Sequence, residues 1–248
     1  MSFQTGWKHF PFKEIDLTLN KYKNSLLSLK IIQLSDLHIK ANLKLSYLSS
    51  LVKQINDLNP DIVVFTGDIL QTKAKKLKEH IKIFSKIEAK SYYVTGNHDI
   101  VYGAKALHTL MSEAGVECLD NKISIISVNG ISIQFIGFSD RYSFVLGNRR
   151  PIKKLLAQLD SNLLTVLLAH QPKDVEYIKD YRVDIQLSGH THGGQIYPFD
   201  KLVKIFQPYY SGEYIHNKTL LYVSNGLGYW GLEMRYKIPS EIPVFTIN

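Results

Sequence analysis

Five short stretches carry the side chains that could do chemistry. They are Ser35-Asp36-Leu37-His38, Gly67-Asp68, Gly96-Asn97-His98-Asp99, His170 and Gly189-His190-Thr191-His192. In the last, two imidazoles sit at i and i+2, with Gly189 before them and Gly193-Gly194 after. A solvated loop has no use for such a pair, and a buried strand disfavours the glycines. Metal coordination uses both, because imidazole is a ligand and glycine lets a backbone turn sharply around an ion. Asp, Asn and His supply hard oxygen and borderline nitrogen with no thiolate, which suits manganese, iron or zinc. Asp36, His38, Asp68, Asn97, His170, His190 and His192 are enough for two ions that share one carboxylate.

Each stretch alone has a plainer explanation. A histidine after a strand is usually a loop residue, Gly-Asp is usually a turn, and Asn and Asp favour helix caps. Their common placement decides otherwise. Each follows an apolar run: LKIIQL at 29–34, DIVVFT at 61–66, SYYVT at 91–95, LLTVLLA at 163–169 and VDIQLS at 183–188. These runs read as buried strands, and sites in open α/β sheets form just outside the carboxyl ends of strands. Of nine histidines in the chain, His38, His98, His170, His190 and His192 fall in these stretches.

Helices separate the early strands. Leu45, Leu48, Leu51, Val52, Ile55 and Leu58 follow helical spacing up to Pro60. Leu77, Ile81, Phe84 and Ile87 mark a second helix, and Leu107, Leu110, Met111 and Ala114 a third, stopped by Gly115. Asn129-Gly130 between two alternating runs predicts a hairpin over 123–138 with a type I′ turn. Helices near 151–160 and 173–179 follow, and from about Gly194 the chain is aromatic and strand-like. A βαβα rhythm that gives way to antiparallel β predicts one α/β domain with mixed sheets.

The ordered motifs resemble those of the calcineurin-like metallophosphoesterases, over the chain from about Ile31 to the C-terminus. LSDLH, TGD, LLAHQP, LSGHTHGGQI and the tail LYVSNGLGYWGLEMRYKIPSEIPVF are similar to the bacterial YkuE/YaeI-type branch. The resemblance implies an αββα sandwich of two mixed sheets flanked by helices. It implies a single domain over 1–248, with a core of about 29–248 and residues 1–28 as an edge strand or extension. It also implies two divalent ions, manganese first and iron or zinc next. Asp36, His38, Asp68 and His192 would hold one, and Asp68, Asn97, His170 and His190 the other, with Asp68 bridging as part of the catalytic machinery. The reaction would be hydrolysis of a phosphodiester or pyrophosphate by in-line attack of a hydroxide formed at the metal pair. His98, outside the ligand set, would serve the leaving group as general acid. Relatives cleave the pyrophosphate of UDP-2,3-diacylglucosamine in lipid A assembly, which makes a lipid-linked nucleotide the expected substrate. Many relatives pair that histidine with a carboxylate three residues after the bridging Asp. Here the position is Gln71, which can orient an imidazole but cannot stabilise its cation, so activated leaving groups are favoured; Asp99 is the compensating candidate.

The rest of the chain sets the surroundings. Arg141, Arg149 and Arg150 lie in a polar rim segment and are candidate phosphate or headgroup clamps. Arg235 matches an arginine of the resembling tail and is expected at the site, as a brace or a substrate contact. The net charge of +8 favours anionic partners, phosphorylated small molecules and an anionic membrane face among them; no obligate protein partner is evident. Phe3, Trp7, Phe10 and Phe12 either touch a membrane interface or pack on a sheet edge, and packing is the preferred reading. A single cysteine, Cys118, excludes an internal disulfide. The N-terminus lacks the apolar stretch of a signal peptide. A cytoplasmic location is therefore expected, with peripheral contact at the inner membrane face. Two other functions compete. A nuclease or cyclic-nucleotide phosphodiesterase of the same fold is allowed by the charge but supported by no aromatic-plus-basic motif. A metal-free interaction scaffold is opposed by the complete ligand set.

Overall fold

A computed structural model describes residues 10–17 and 28–248; Phe3 and Trp7 lie outside them. In chain order the strands are β1 (Phe12–Leu17), β2 (Leu29–Leu34), β3 (Ile62–Phe65), β4 (Lys90–Tyr93), β5 (Val116–Cys118), β6 (Lys122–Val128), β7 (Ile131–Phe138), β8 (Leu164–Ala169), β9 (Ile185–Ser188), β10 (Gly212–His216), β11 (Thr219–Val223) and β12 (Ile242–Ile247). The helices are α1 (Leu45–Asp57), α2 (Lys78–Lys82), α3 (Asn97–Tyr102), α4 (Ala104–Glu113), α5 (Ile152–Leu156) and α6 (Asp200–Phe206). One six-stranded sheet has the order β1-β12-β2-β3-β4-β5 and the other β10-β11-β9-β8-β7-β6. Both are mixed. β2, β3, β4 and β5 run parallel, as do β7, β8, β9 and β11, while β12 is antiparallel to β2 and β6 to β7.

The continuous apolar runs follow from burial on both faces. Leu29, Ile31, Ile62 and Val64 point between the sheets, against Phe135, Val166, Leu168, Tyr222 and Phe245. Their neighbours Ile32, Leu34, Val63 and Phe65 point outward, beneath Leu48, Leu51, Val52 and Ile55 of α1. On the second sheet Ile136, Phe138, Leu167 and Ala169 lie beneath Ile152 and Leu155 of α5. The result is an αββα sandwich. Each buried aliphatic or aromatic side chain contributes about 1.5–3 kcal/mol, so these three apolar layers carry the stability and the strand ends are left for polar groups.

The hairpin turn is as expected, with φ of 51° at Asn129 and 81° at Gly130. Phe10 is buried and stacks against Tyr47, and Phe12 packs on the same core. These two aromatics pack inward, as preferred. Other elements differ from the sequence reading. The helix expected over Leu77–Ile87 is α2 with a tight turn at each end, because Leu77 leaves helical geometry (φ −109°, ψ 15°). α5 is shorter than 151–160, because buried Gln134 bonds the backbone of Asp160 in both directions. The segment 172–178 is a 3₁₀ helix. Residues 224–241, expected as strand, are largely irregular. Leu227 and Gly228 instead donate backbone hydrogen bonds to the carbonyls of Ser35 and Asp36 (3.0 and 2.7 Å), folding the tail over the first motif.

Candidate metal centre

The five motifs meet where the carboxyl ends of both sheets adjoin. Gln33 stitches that edge from below, donating to Thr66 Oγ1 and, across the sheets, to the carbonyl of Ser188 (2.8 and 2.9 Å). The first sheet delivers Asp36, His38, Asp68 and Asn97, and the second delivers His170, His190 and His192. Asp36, His38, Asp68, His190 and His192 all have positive φ, between 45° and 73°. That region is rare for residues other than glycine, and such strain collects at functional sites. Two glycines make the approach possible. A Cβ at Gly96 would lie 2.2 Å from Asp68 Oδ1, and one at Gly189 would lie 2.2 Å from Asp36 Oδ2.

The side chains face one another closely. His38 Nε2 is 3.0 Å from His192 Nε2, and His170 Nε2 is 3.3 Å from His190 Nδ1. Asp36 Oδ1 lies 3.3 Å from His192 Nε2. Asp68 Oδ2 lies 3.7 Å from His38 Nε2 and 3.4 Å from His170 Nε2, so one oxygen addresses both halves. Asp36, His38 and His192 form one group of ligand atoms within 4.8 Å of one another, and Asp36, Asp68 and His170 form a second. Asn97 Oδ1 is buried with no hydrogen-bond partner. Buried acceptors are nearly always satisfied. An unpartnered amide oxygen on the residue before His98, whose N–H bonds Asp68, is a donor type that a hard divalent cation takes up.

Surrounding groups fix these orientations. His170 Nδ1 donates to the carbonyl of Thr66 at 2.8 Å, which turns Nε2 inward. Asp68 Oδ1 accepts from the backbone N–H of His98 (2.9 Å), leaving Oδ2 for the site. Asp36 Oδ2 accepts from Ser35 Oγ (2.5 Å) and from the N–H of His190 (3.1 Å). Thr191 turns aside. Its hydroxyl donates to the carbonyl of Tyr210 and accepts from the N–H of Gly193.

Burial pushes His38 down to about 4 and His190 to about 3, and burial with His38 and Arg235 alongside pushes His192 well below its ordinary range. Imidazoles held neutral in this way keep their lone pairs for a metal. Burial opposes the charge on His170, but Asp68 and Asp36 outweigh it and hold His170 well above the usual range. Burial likewise opposes ionisation of Asp68, and His170, His38 and His98 outweigh it, so this carboxylate is held well below its usual range. Burial pushes Asp36 up to about 6, with His170 opposing.

Two expectations about second partners are corrected. Gln71 does not meet His98; its Oε1 accepts from His38 Nδ1 at 2.7 Å and aims the His38 Nε2 lone pair inward. Asp99 does not meet His98 either. Its carboxylate accepts from the N–H groups of Leu70 and Gly96 (both 2.9 Å), locking two motif loops together and capping α3. The expected preference for activated leaving groups therefore cannot rest on a Gln71–His98 contact. His98 packs edge-on against His38, with ring centroids 4.6 Å apart, and its Nδ1 has no hydrogen-bond partner.

The arginines separate into two kinds. Arg235 is buried behind the centre. It donates to the carbonyls of His192, Asn225, Gly226 and Gly228, and its Nη2 lies 3.2 Å from His192 Nδ1. It braces His192 and the tail and has no face left for substrate. Arg141 and Arg150 converge on buried Asp174 (2.9 and 2.6 Å) and stack on the Tyr177 ring. With exposed Arg149 they line a surface cavity whose lining includes none of the seven candidate ligands. Sequence reasoning missed Ser35 and the true partner of Gln71. Only the adjacency of Ser35 to Asp36 hinted at either.

A family profile described as calcineurin-like phosphoesterase matches residues 29–194. A metallophosphoesterase of Helicobacter pylori is 34% identical over 245 residues, covering 97% of this chain, and the chain spans 64% of that relative's length. The metallophosphoesterase YkuE of Bacillus subtilis is 34% identical over 251 residues, covering 94% of this chain and 86% of the relative. The UDP-2,3-diacylglucosamine pyrophosphatase LpxG of Chlamydia muridarum is 25% identical over 284 residues, covering 92% and 86%. Among solved structures, a dimetal phosphatase from Danio rerio superposes with a TM-score of 0.56 at 11% identity, covering 80% of this chain and 87% of that one. At that identity the match speaks for the fold alone.

Proposed function

We propose, since this chain belongs to the calcineurin-like phosphoesterase family, that it hydrolyses a phosphodiester or pyrophosphate at the centre described above. The observation that carries this reading is Asp68 Oδ2 set between His38 and His170; Asn97 Oδ1, buried and without a partner, supports it. Asp36, His38, Asp68 and His192 would hold one divalent ion. Asp68, Asn97, His170 and His190 would hold the other, Asp68 being shared. When bound, two such ions neutralise phosphoryl oxygens and make hydroxide available near neutral pH. The chain's own part is positioning. Gln71, Thr66, Ser35 and Arg235 hold the ligands in one geometry. His98, with its ring nitrogen open, is placed to give a proton or hydrogen bond to the leaving oxygen.

Manganese is the first candidate metal, with iron or zinc next, on ligand type alone. For the substrate, a cavity of about 620 Å³ has His38 in its wall. Leu43, Tyr47, Leu227 and Tyr229 give it apolar sides, and Lys44 adds positive charge, Lys40 being paired with Glu233 in the same wall. Such a space suits a phosphoester with a large, partly apolar organic group. It supports UDP-2,3-diacylglucosamine, cleaved at its pyrophosphate, as the candidate, in keeping with the name of the Chlamydia relative. That substrate in turn supports action at the inner face of the cytoplasmic membrane. No helix of the described residues is long and apolar enough to cross a membrane.

The test is hydrolysis of bis-p-nitrophenyl phosphate and of UDP-2,3-diacylglucosamine by chelator-treated protein, with and without Mn²⁺. Turnover that returns only with metal, and faster for the lipid nucleotide, is expected. Metal-restored turnover of the generic diester alone would keep the reaction and discard the substrate. Turnover unaffected by the chelator would discard the metal centre.

A further inference from the structure

α6 is built inside out. Its one buried residue is an acid, Asp200, while Leu202, Ile205 and Phe206 stand exposed, the last two at 72% and 70%. Phe199, just before the helix, is exposed at 58%. A helix of a water-facing surface turns its apolar residues the other way. The exposed apolar surface continues into Trp230 and Leu232, whose carbonyls both accept from Gln195 Nε2 (3.0 Å each). The face is also cationic. Lys201 and Lys237 lie over the Tyr197 ring (5.4 and 4.6 Å), and Lys204 lies over the Tyr210 ring (4.6 Å). Of the nearby acids, Asp200 is buried with Lys204 Nζ 3.9 Å from its Oδ2, and Glu233 is held by Lys40, so Lys201 and Lys237 carry the uncompensated charge.

We propose that this face seats on an anionic lipid surface. Phe199, Leu202, Ile205, Phe206, Trp230 and Leu232 would enter the boundary between headgroups and acyl chains, and Lys201, Lys204 and Lys237 would meet lipid phosphates. Exposed apolar residues interleaved with lysines over aromatic rings are what such a boundary selects, since the ring or stem stays apolar while the charge reaches water and phosphate. A second copy of the chain suits the face less well. In a two-fold interface the same patch meets itself, and three lysines would confront three lysines.

The face and the metal centre share their backbone. Gln195 follows the His192–Gly194 turn and leads into α6, and Arg235, which braces His192, lies three residues beyond Leu232. Docking there would hold the centre's rim against the lipid–water boundary. This consequence rests on the function proposed above, a lipid-linked phosphoester being delivered from the membrane; the docking itself does not.

The experiment is sedimentation of the whole chain with vesicles of phosphatidylcholine alone or mixed with phosphatidylglycerol. The protein should pellet with the anionic vesicles, and less so as salt screens the lysines. The double variant Ile205→Glu/Phe206→Glu should lose about tenfold or more in vesicle partition, with its thermal melt and its turnover of bis-p-nitrophenyl phosphate unchanged. Lys201→Glu/Lys204→Glu should abolish the preference for anionic vesicles. Failure of the wild type to pellet, or equal pelleting by the Ile205/Phe206 variant, would overturn the proposal. So would a wild-type dimer in sedimentation velocity that this variant dissociates, because the face would then belong to a second copy. Vesicle binding lost in the variant, in a protein without diester turnover, would leave the docking face standing and remove the catalytic reading; turnover without vesicle binding would do the reverse.

Discussion

The ends of β2, β3, β4, β8 and β9 and the segment just past β7 are both crowded with charge, and they use it in opposite ways. At the first, His38, His192, His170 and His190 aim ring nitrogens at one another, and Asn97 Oδ1 and His98 Nδ1 have no partner. At the second, Arg150 makes a two-pronged contact with Asp174 and donates to the carbonyl of Ser139, while Arg141 takes the same carboxylate. The first arrangement is incomplete without a further species. The second is complete as it stands and works as a strap tying the segment 139–150 to 172–178. Clusters of ionisable side chains beyond strand ends therefore mean different things, and satisfaction of their hydrogen bonds separates a site from a brace.

The sharpest way to break that comparison is Asp68→Asn. It leaves the shape and removes the shared charge. Metal-dependent turnover should fall by about a thousandfold or more, with the thermal midpoint little changed. Near-normal kcat with the same metal would mean that the centre lies elsewhere. His98→Ala should keep the metals bound and lose about 10²–10³ in rate, with the larger loss for poor leaving groups. Equal losses across a leaving-group series would remove its proton-donating role.

Gln71→Leu tests the corrected partnership and should weaken metal affinity about 10–100-fold by freeing the His38 ring. Gln71→Glu, which keeps the acceptor, should recover most of that. A metal titration that shows no change in Gln71→Leu would return Gln71 to an unrelated role. The smallest effect on turnover belongs to the strap. Arg150→Ala should leave kcat of the folded protein intact and cost about 2 kcal/mol of stability in urea, the loss of a buried pair being softened by Arg141. A drop in kcat or a rise in KM without loss of stability would instead make Arg150 a substrate contact.

Much of this was legible in the chain because it is local. LKIIQL and LLTVLLA are apolar throughout since sheets and helices cover both faces, and Asn129-Gly130 states its turn outright. That the candidate ligands would come together was readable because each follows a strand, and strand ends in such sheets face one site. What could not be read depends on how separate segments dock. Gln71 falls to His38 and not His98 because the chain after β2 runs beside the chain after β3, where Ile39 N donates to the carbonyl of Ile69. Arg235 is swallowed by the tail's carbonyls, which a surface-like EMRYK motif does not disclose. α6 lies in the stretch read as strand-like, because Leu202, Val203, Ile205 and Phe206 look like core in sequence, and only the structure shows a helix with Leu202, Ile205 and Phe206 facing out.

The most direct measurement is the metal content of the chain, refilled with Mn²⁺ after chelation, read by elemental analysis beside diester turnover in the same samples. Two ions per wild-type chain, with turnover rising as they load and both lost in Asp68→Asn, is the predicted result. Full turnover in chains that hold one ion or none would contradict the account.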